Sequence, residues 1–220
     1  GGGYHDGMNG YEYCKTNSLN KTDHDGQMSD FGAFLDMADH WMSANGNTPF
    51  RRCDGEWGEF IRNIPGWDTT AVNILHEEAE RLWNSNQALY GHTRTPKKLM
   101  FINGYFTTYV LNGVQYEIWS NYTINKTDCS ISFYSTYHIV TDRADAEGFK
   151  DAFIYAAEIY GWVGGFEWLM PPNFKRYQEF DVRIVWFSGL TKYCFNGKGN
   201  VIKRFGGWPI NQGEWPYTCH

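Results

Sequence analysis

The sequence predicts an α+β domain: an antiparallel β-meander, curved sheet or partial barrel of about eight strands packed with about three helices. Apolar residues recur at helical spacing in two stretches before residue 90 and in one after residue 142. From Lys98 the spacing changes to alternation, and Asn-Gly pairs punctuate the chain at Asn103-Gly104, Asn112-Gly113 and Asn196-Gly197. Residues 1–27 are rich in Gly, Asn, Asp and Tyr and follow neither period, so they read as an irregular N-terminal arm ahead of one globular domain over 28–220.

In order along the domain, Ser29 or Asp30 caps a helix to about Ala44 whose inner face carries Phe31, Phe34, Leu35, Ala38, Trp41 and Met42. Asn45-Gly46-Asn47 ends it. Asp68 caps a longer helix to about Tyr90, with Val72, Leu75, Ala79, Leu82 and Leu89 inward, Glu77 paired to Arg81, and Gly91 as C-terminal cap. Three short strands follow from Lys98, then a strand over about Cys129 to Val140. Asp142 opens a third helix that buries Phe149, Phe153, Ala156 and Ile159 and stops at Gly161. The tail returns to strands at Phe166 to Met170, Glu179 to Ser188, Thr191 to Phe195 and about Asn200 to Phe205.

Composition narrows the function classes. The net charge of -6 comes without any basic run longer than a pair, so the sequence predicts no nucleic-acid partner. It holds no apolar run of about 18 residues and therefore no membrane span. The 10 Trp, 15 Tyr and 15 Phe exceed what one core of this size requires, which places some rings at the surface, where they suit sugar stacking or the centre of an interface.

Five cysteines lie far apart with no C-x-x-C pair, a pattern that favours disulfides over zinc. The simplest pairing closes the tails onto the body, Cys14 with Cys53 and Cys194 with Cys219, and leaves Cys129 over. Sequons at Asn20, Asn121 and Asn125 make these the expected N-glycan acceptors, the last two flanking a polar strand connection. The Gly1-Gly2-Gly3 start, with no charged-then-apolar leader, has the form of a processed chain. Together these predict a secreted, extracellular glycoprotein.

No complete catalytic, cofactor or metal motif is present. His76-Glu77-Glu78-Ala79-Glu80 lacks the second His of a zinc-protease helix and reads as a charged outer helix face. Asp36 and His40 are spaced as a surface pair. Asp23, Asp25 and Asp30 lack the Gly and the closing Glu of an EF-hand. Glu158, Glu167 and Glu179 stand among aromatics such as Trp162, Trp168 and Tyr177, the setting of a glycosidase carboxyl pair. Neither a metal nor a cofactor is therefore expected.

One constellation remains. Alternation puts Gln115, Glu117, Trp119 and Asn121 on one face of a strand, and Tyr134, Thr136 and His138 on one face of the next. If those faces coincide, Glu117 and His138 become candidate acid and base in an aromatic groove with Trp119 and Tyr134, joined by Asp181 and Arg183. Two functional readings follow. The first is a secreted structural subunit that assembles with itself into a filament, coat or matrix through its arm, anchored by Tyr4, Tyr11 and Tyr13. The second is a carbohydrate-binding module or glycoside hydrolase using that groove, with glycans as partner.

Overall fold

The structure, a computed structural model, describes residues 30–43, 48–53, 55–85, 87–102, 107–111, 113–144 and 179–206. These residues form an α+β domain in which helices lie against one face of an open, curved sheet. Helix α1 (Asp30–Ser43) leads to strand β1 (Phe50–Arg52), helix α2 (Gly55–Arg62) and helix α3 (Trp67–Asn84). Strands β2 (Tyr90–Arg94) and β3 (Lys98–Phe101) follow, then a single helical turn α4 (Thr107–Val110). The rest is β4 (Gly113–Asn125), β5 (Ser130–Ala144), β6 (Phe180–Ser188), β7 (Thr191–Phe195) and β8 (Val201–Gly206).

Two long antiparallel strands, β4 and β5, form the spine of the sheet. On the outer side of β4, β3 pairs with its first half and β2 with its second. On the outer side of β5, β7 pairs with Ser130 to Phe133 and β6 with Thr136 to Ala144. Strand β8 extends β7, and β1 lies parallel to β6, which makes the sheet mixed where the sequence predicts it antiparallel.

The change of partner from β7 to β6 falls on a β-bulge. Trp119 opposes Tyr137 and Asn121 opposes Tyr134, so Ser120 alone faces both Ser135 and Thr136. Ser135 takes φ 50°, and Ser120 Oγ lies 2.7 Å from Thr136 Oγ1.

The inner face of the sheet packs on the helices. From β4, Val114, Tyr116, Ile118, Tyr122 and Ile124 point inward and are buried. Helix α3 adds Trp67, Ile74, Leu75, Ala79 and Leu82, and α2 adds Trp57, Phe60 and Ile61. Helix α1 buries Ala33, Phe34, Met37, Ala38 and Trp41 but turns Leu35 outward. Trp41, Trp57, Tyr116, Tyr193, Phe34, Phe50, Phe133 and Phe205 are all fully buried, so the core absorbs much of the aromatic surplus.

A carboxylate ties the N-terminal elements together. Asp36 of α1 accepts Arg52 Nε at 2.8 Å, Arg52 Nη2 at 2.5 Å and Trp57 Nε1 at 2.9 Å. Asp36 therefore does not pair with His40, whose ring instead meets the Thr48 carbonyl at 2.7 Å. Helix α2 approaches β6 at Gly58, where an added Cβ would stand 2.7 Å from both Cβ and Cγ of Trp186.

Several local expectations are corrected. The long helix stops at Asn84, so Tyr90 and Gly91 belong to β2, and Leu89 is exposed. Gly66, with φ 88°, precedes that helix in place of an Asp68 cap. Arg81 binds Glu78 at 2.6 and 2.7 Å rather than Glu77, which draws Glu78 into burial and away from an outer face. The middle strand expected between Lys98 and Asn112 gives way to α4, capped by Asp30, whose Oδ1 accepts Thr107 N at 3.1 Å. Strand β5 continues through Ala144, so Asp142 is a half-buried strand residue and not a helix cap. Strand β1, helix α2 and strand β2 have no counterpart in the sequence reading. The arm over 1–27, the helix face at Phe149 to Ile159, and the strand at Phe166 to Met170 lie outside the described residues.

Gly58→Ala should destabilise the domain by about 1–3 kcal/mol, because the side chain it would strike is the root of Trp186 rather than a flexible tip. Urea unfolding of the variant against the parent chain measures this, and an unchanged midpoint would contradict the packing of α2 on β6.

Candidate functional sites on the two sheet faces

The bulge decides which candidate residues meet. Upstream of it, Asn121 opposes Tyr134 on the outer face; downstream, Ile118 opposes His138 on the inner face. Tyr134 therefore does not share a face with Thr136 and His138, and Glu117 and His138 lie on opposite sides of the sheet. An acid-base pair of these two side chains is ruled out by the geometry.

On the outer face, Glu117, Trp119, Asn121, Tyr134 and Arg183 do come together, with Arg94 and His92 from β2. Glu117 is buried and accepts Arg94 Nε at 2.5 Å and Nη2 at 3.0 Å. Both carboxylate oxygens are thus committed to a fork-shaped pair, which makes Glu117 an anchor rather than an acid catalyst. The Arg94 guanidinium lies 4.8 Å from the Trp119 ring and that of Arg183 5.9 Å from it. Trp119 Nε1 is buried without a hydrogen-bond partner among the described residues. Tyr137 and Phe187 pack ring on ring at 4.5 Å beside it.

Asn121 sits in mid-strand with its side-chain oxygen bonded to His92, whereas Asn125 is exposed at the end of β4 and accepts Thr127 N at 3.0 Å. The second sequon therefore lies within β4 rather than beside a connection. Cys53 and Cys194 are disulfide-bonded, and Cys129 is an exposed free thiol. Cys14, Cys219, Asn20, Tyr4, Tyr11, Tyr13, Glu158 and Glu167 also lie outside the described residues. Glu179 forms a surface pair with Arg143 at 2.7 Å.

The inner face carries a second site. Where β6 gives way to β7, a narrow crevice, partly open to solvent and with room for little more than a water molecule, runs between α3 and the sheet. His138 lies along it, with its Nε2 2.9 Å from Ser188 Oγ and its Nδ1 2.6 Å from the Tyr116 hydroxyl. The Tyr116, His138 and Trp186 rings stack, His138 on Trp186 at 5.3 Å and 9°. Arg62, Asp68, Thr191 and Arg204 complete the rim. Burial, aided by the Arg62 charge, pushes the His138 pKa down to about 3. Burial also raises the Tyr116 hydroxyl, reinforced by the Asp68 charge, so the phenol keeps its proton. The relay is neutral at physiological pH. The sequence marks His138 but not Ser188 or Thr191, because their proximity comes from the handover between two strands.

Among the described residues, no group of three or more His, Cys, Asp or Glu side chains is placed to hold a metal, and no helix is long and apolar enough to cross a membrane. No protein-family model, curated protein or solved structure matches the chain.

The depressed His138 pKa has a fixed sign in stability. Unfolded, the ring binds a proton near pH 6.5, whereas the folded ring stays neutral down to about pH 3. Stability should therefore fall as pH drops from 6.5 towards 3, by at most about 1.4 kcal/mol per pH unit from this group. Urea midpoints at pH 7 and pH 5 should differ less in His138→Gln than in the parent chain. Equal differences would refute a buried neutral His138.

Proposed function

We propose that this chain is a secreted structural subunit that associates with copies of itself through the outer face of its sheet. The observation that carries the reading is where exposed apolar side chains lie. Register places Tyr90, Leu99, Phe101, Tyr134 and Phe187 all on the outer face, five of the nine large apolar residues exposed among those described. Tyr90 is 73% exposed and Phe101 55%. An aromatic and aliphatic face of this kind, studded with arginines, has the composition of an interface core and rim. Among the described residues no strand pairs with the outer edge of β2, beside Tyr90, which offers backbone groups for strand addition. The disulfide-bonded Cys53 and Cys194 support the extracellular setting.

The arm over residues 1–27 is a second element of the same proposal, with Tyr4, Tyr11 and Tyr13 as anchors in a neighbouring copy. The glycan-binding alternative rests on Trp119 and its unpartnered Nε1, next to Asn121 and the Arg94 fork. Saturable glycan binding lost in Trp119→Ala would favour that alternative.

Light scattering and negative-stain electron microscopy of the purified chain under non-reducing conditions should show assemblies larger than 25.5 kDa. The double variant Tyr90→Lys, Phe187→Lys should disperse them without lowering the melting temperature appreciably, since both side chains face solvent. Deleting residues 1–13 separates the two elements: loss of assembly by a folded domain supports the arm, and unchanged assembly removes it. A monodisperse parent chain would overturn the proposal.

A further inference from the structure

The sheet edge at β3 carries groups that its own domain leaves unused. Among the described residues β3 pairs only with β4. On that side of β4, Ile118 accepts Thr95 N and Ile124 donates to the Leu89 carbonyl, so alternation makes Val114 and Tyr116 the residues that bond β3. Their partners are Lys98 and Met100, which leaves the N–H and C=O of Leu99 pointing away from the sheet. Phe101 points the same way, and its carbonyl accepts Trp67 Nε1 at 3.1 Å. The Leu99 and Phe101 side chains lie on the outer face, 52% and 55% exposed. Lys97 and Lys98 beside them are exposed and form no ion pair among the described residues.

This pattern selects a partner. Lysine on an edge strand repels a second copy of the same strand and admits an acidic one. The arm supplies such a segment: residues 1–13 hold Asp6 and Glu12 and neither Lys nor Arg. Within it, Tyr11-Glu12-Tyr13 alternates ring, carboxylate, ring. Side chains of an extended segment alternate, so against β3 the two rings reach the outer face beside Leu99 and Phe101, and Glu12 falls on the other side with Lys98. The match holds whichever way the segment runs, because alternation is the same in both directions. We propose that Tyr11-Glu12-Tyr13 of a neighbouring copy adds as a strand to the β3 edge, with Glu12 paired to Lys98 and both tyrosines on the Leu99 and Phe101 side chains. The inference rests on self-association through the arm and gives that arm its receiving site.

The test couples carboxylates to amines at zero length with a carbodiimide, in isotopically light and heavy full chains mixed before assembly, and reads the linked peptides by mass spectrometry. Glu12 should link to Lys98 or Lys97 in light-heavy pairs. Such links confined to chains of one label would place the arm on its own domain, and Glu12 linked elsewhere or not at all would remove the site; each overturns the proposal. By light scattering, Lys98→Glu should weaken association about fivefold, and Glu12→Lys in the same chain should restore it. Assembly of Lys98→Glu like that of the parent, or no restoration by Glu12→Lys, would overturn the β3 site while leaving self-association in place. A monodisperse parent chain would remove both.

Discussion

The pairing of β4 with β5, interrupted once at Ser120, is the constraint from which the rest of the domain follows. Strand side chains alternate, so an extra residue in one strand reverses the assignment of every position beyond it. In β5 the extra residue lets Tyr134 and Tyr137 share the outer face although three positions apart, while Phe133, Thr136 and His138 turn to the core. The same irregularity is where β7 releases β5 and β6 takes it up. The corner between Ser188 and Thr191 opens the sheet there, and the crevice occupies that opening.

Around this spine, aromatic volume does the packing that aliphatic residues do in most cores. Phe50, Trp57, Phe60 and Phe180 contact one another edge to face or tilted, and Tyr116, His138 and Trp186 stack. Rings of this size need polar partners for their heteroatoms. Trp57 finds Asp36, Trp67 donates to the Phe101 carbonyl at 3.1 Å, and Tyr116 meets His138. Each of those bonds joins two separate elements, so satisfying a ring also fixes an orientation between helices and strands. Asp36 joins α1, β1 and α2 in this way.

The two faces then offer different chemistry. The outer face combines exposed aromatics with arginines, a surface suited to broad contact. The inner face at the strand handover is narrow and carries a neutral hydrogen-bond relay from Tyr116 through His138 to Ser188. One sheet thus holds an extended surface and an enclosed one, separated by the thickness of a single layer, and each can be altered without touching the other.

The sequence by itself determined the class of the fold, the α1 and α3 stretches, and the strands at β6, β7 and β8, because local periodicity and turn chemistry fix these without reference to distant residues. It also placed Glu117, Trp119 and Asn121 on one face, since β4 alternates without interruption. Tertiary structure decided the rest. Strands β1 and β2 are too short to show a period, and helix α2, though amphipathic, has only two turns; their partners hold them: Arg52 on Asp36, Gly58 under Trp186, His92 on Asn121. The separation of Glu117 from His138, and the meeting of His138 with Ser188, depended on one bulge. A bulge leaves no period in the sequence; it arises because two strands must share the edge of a third.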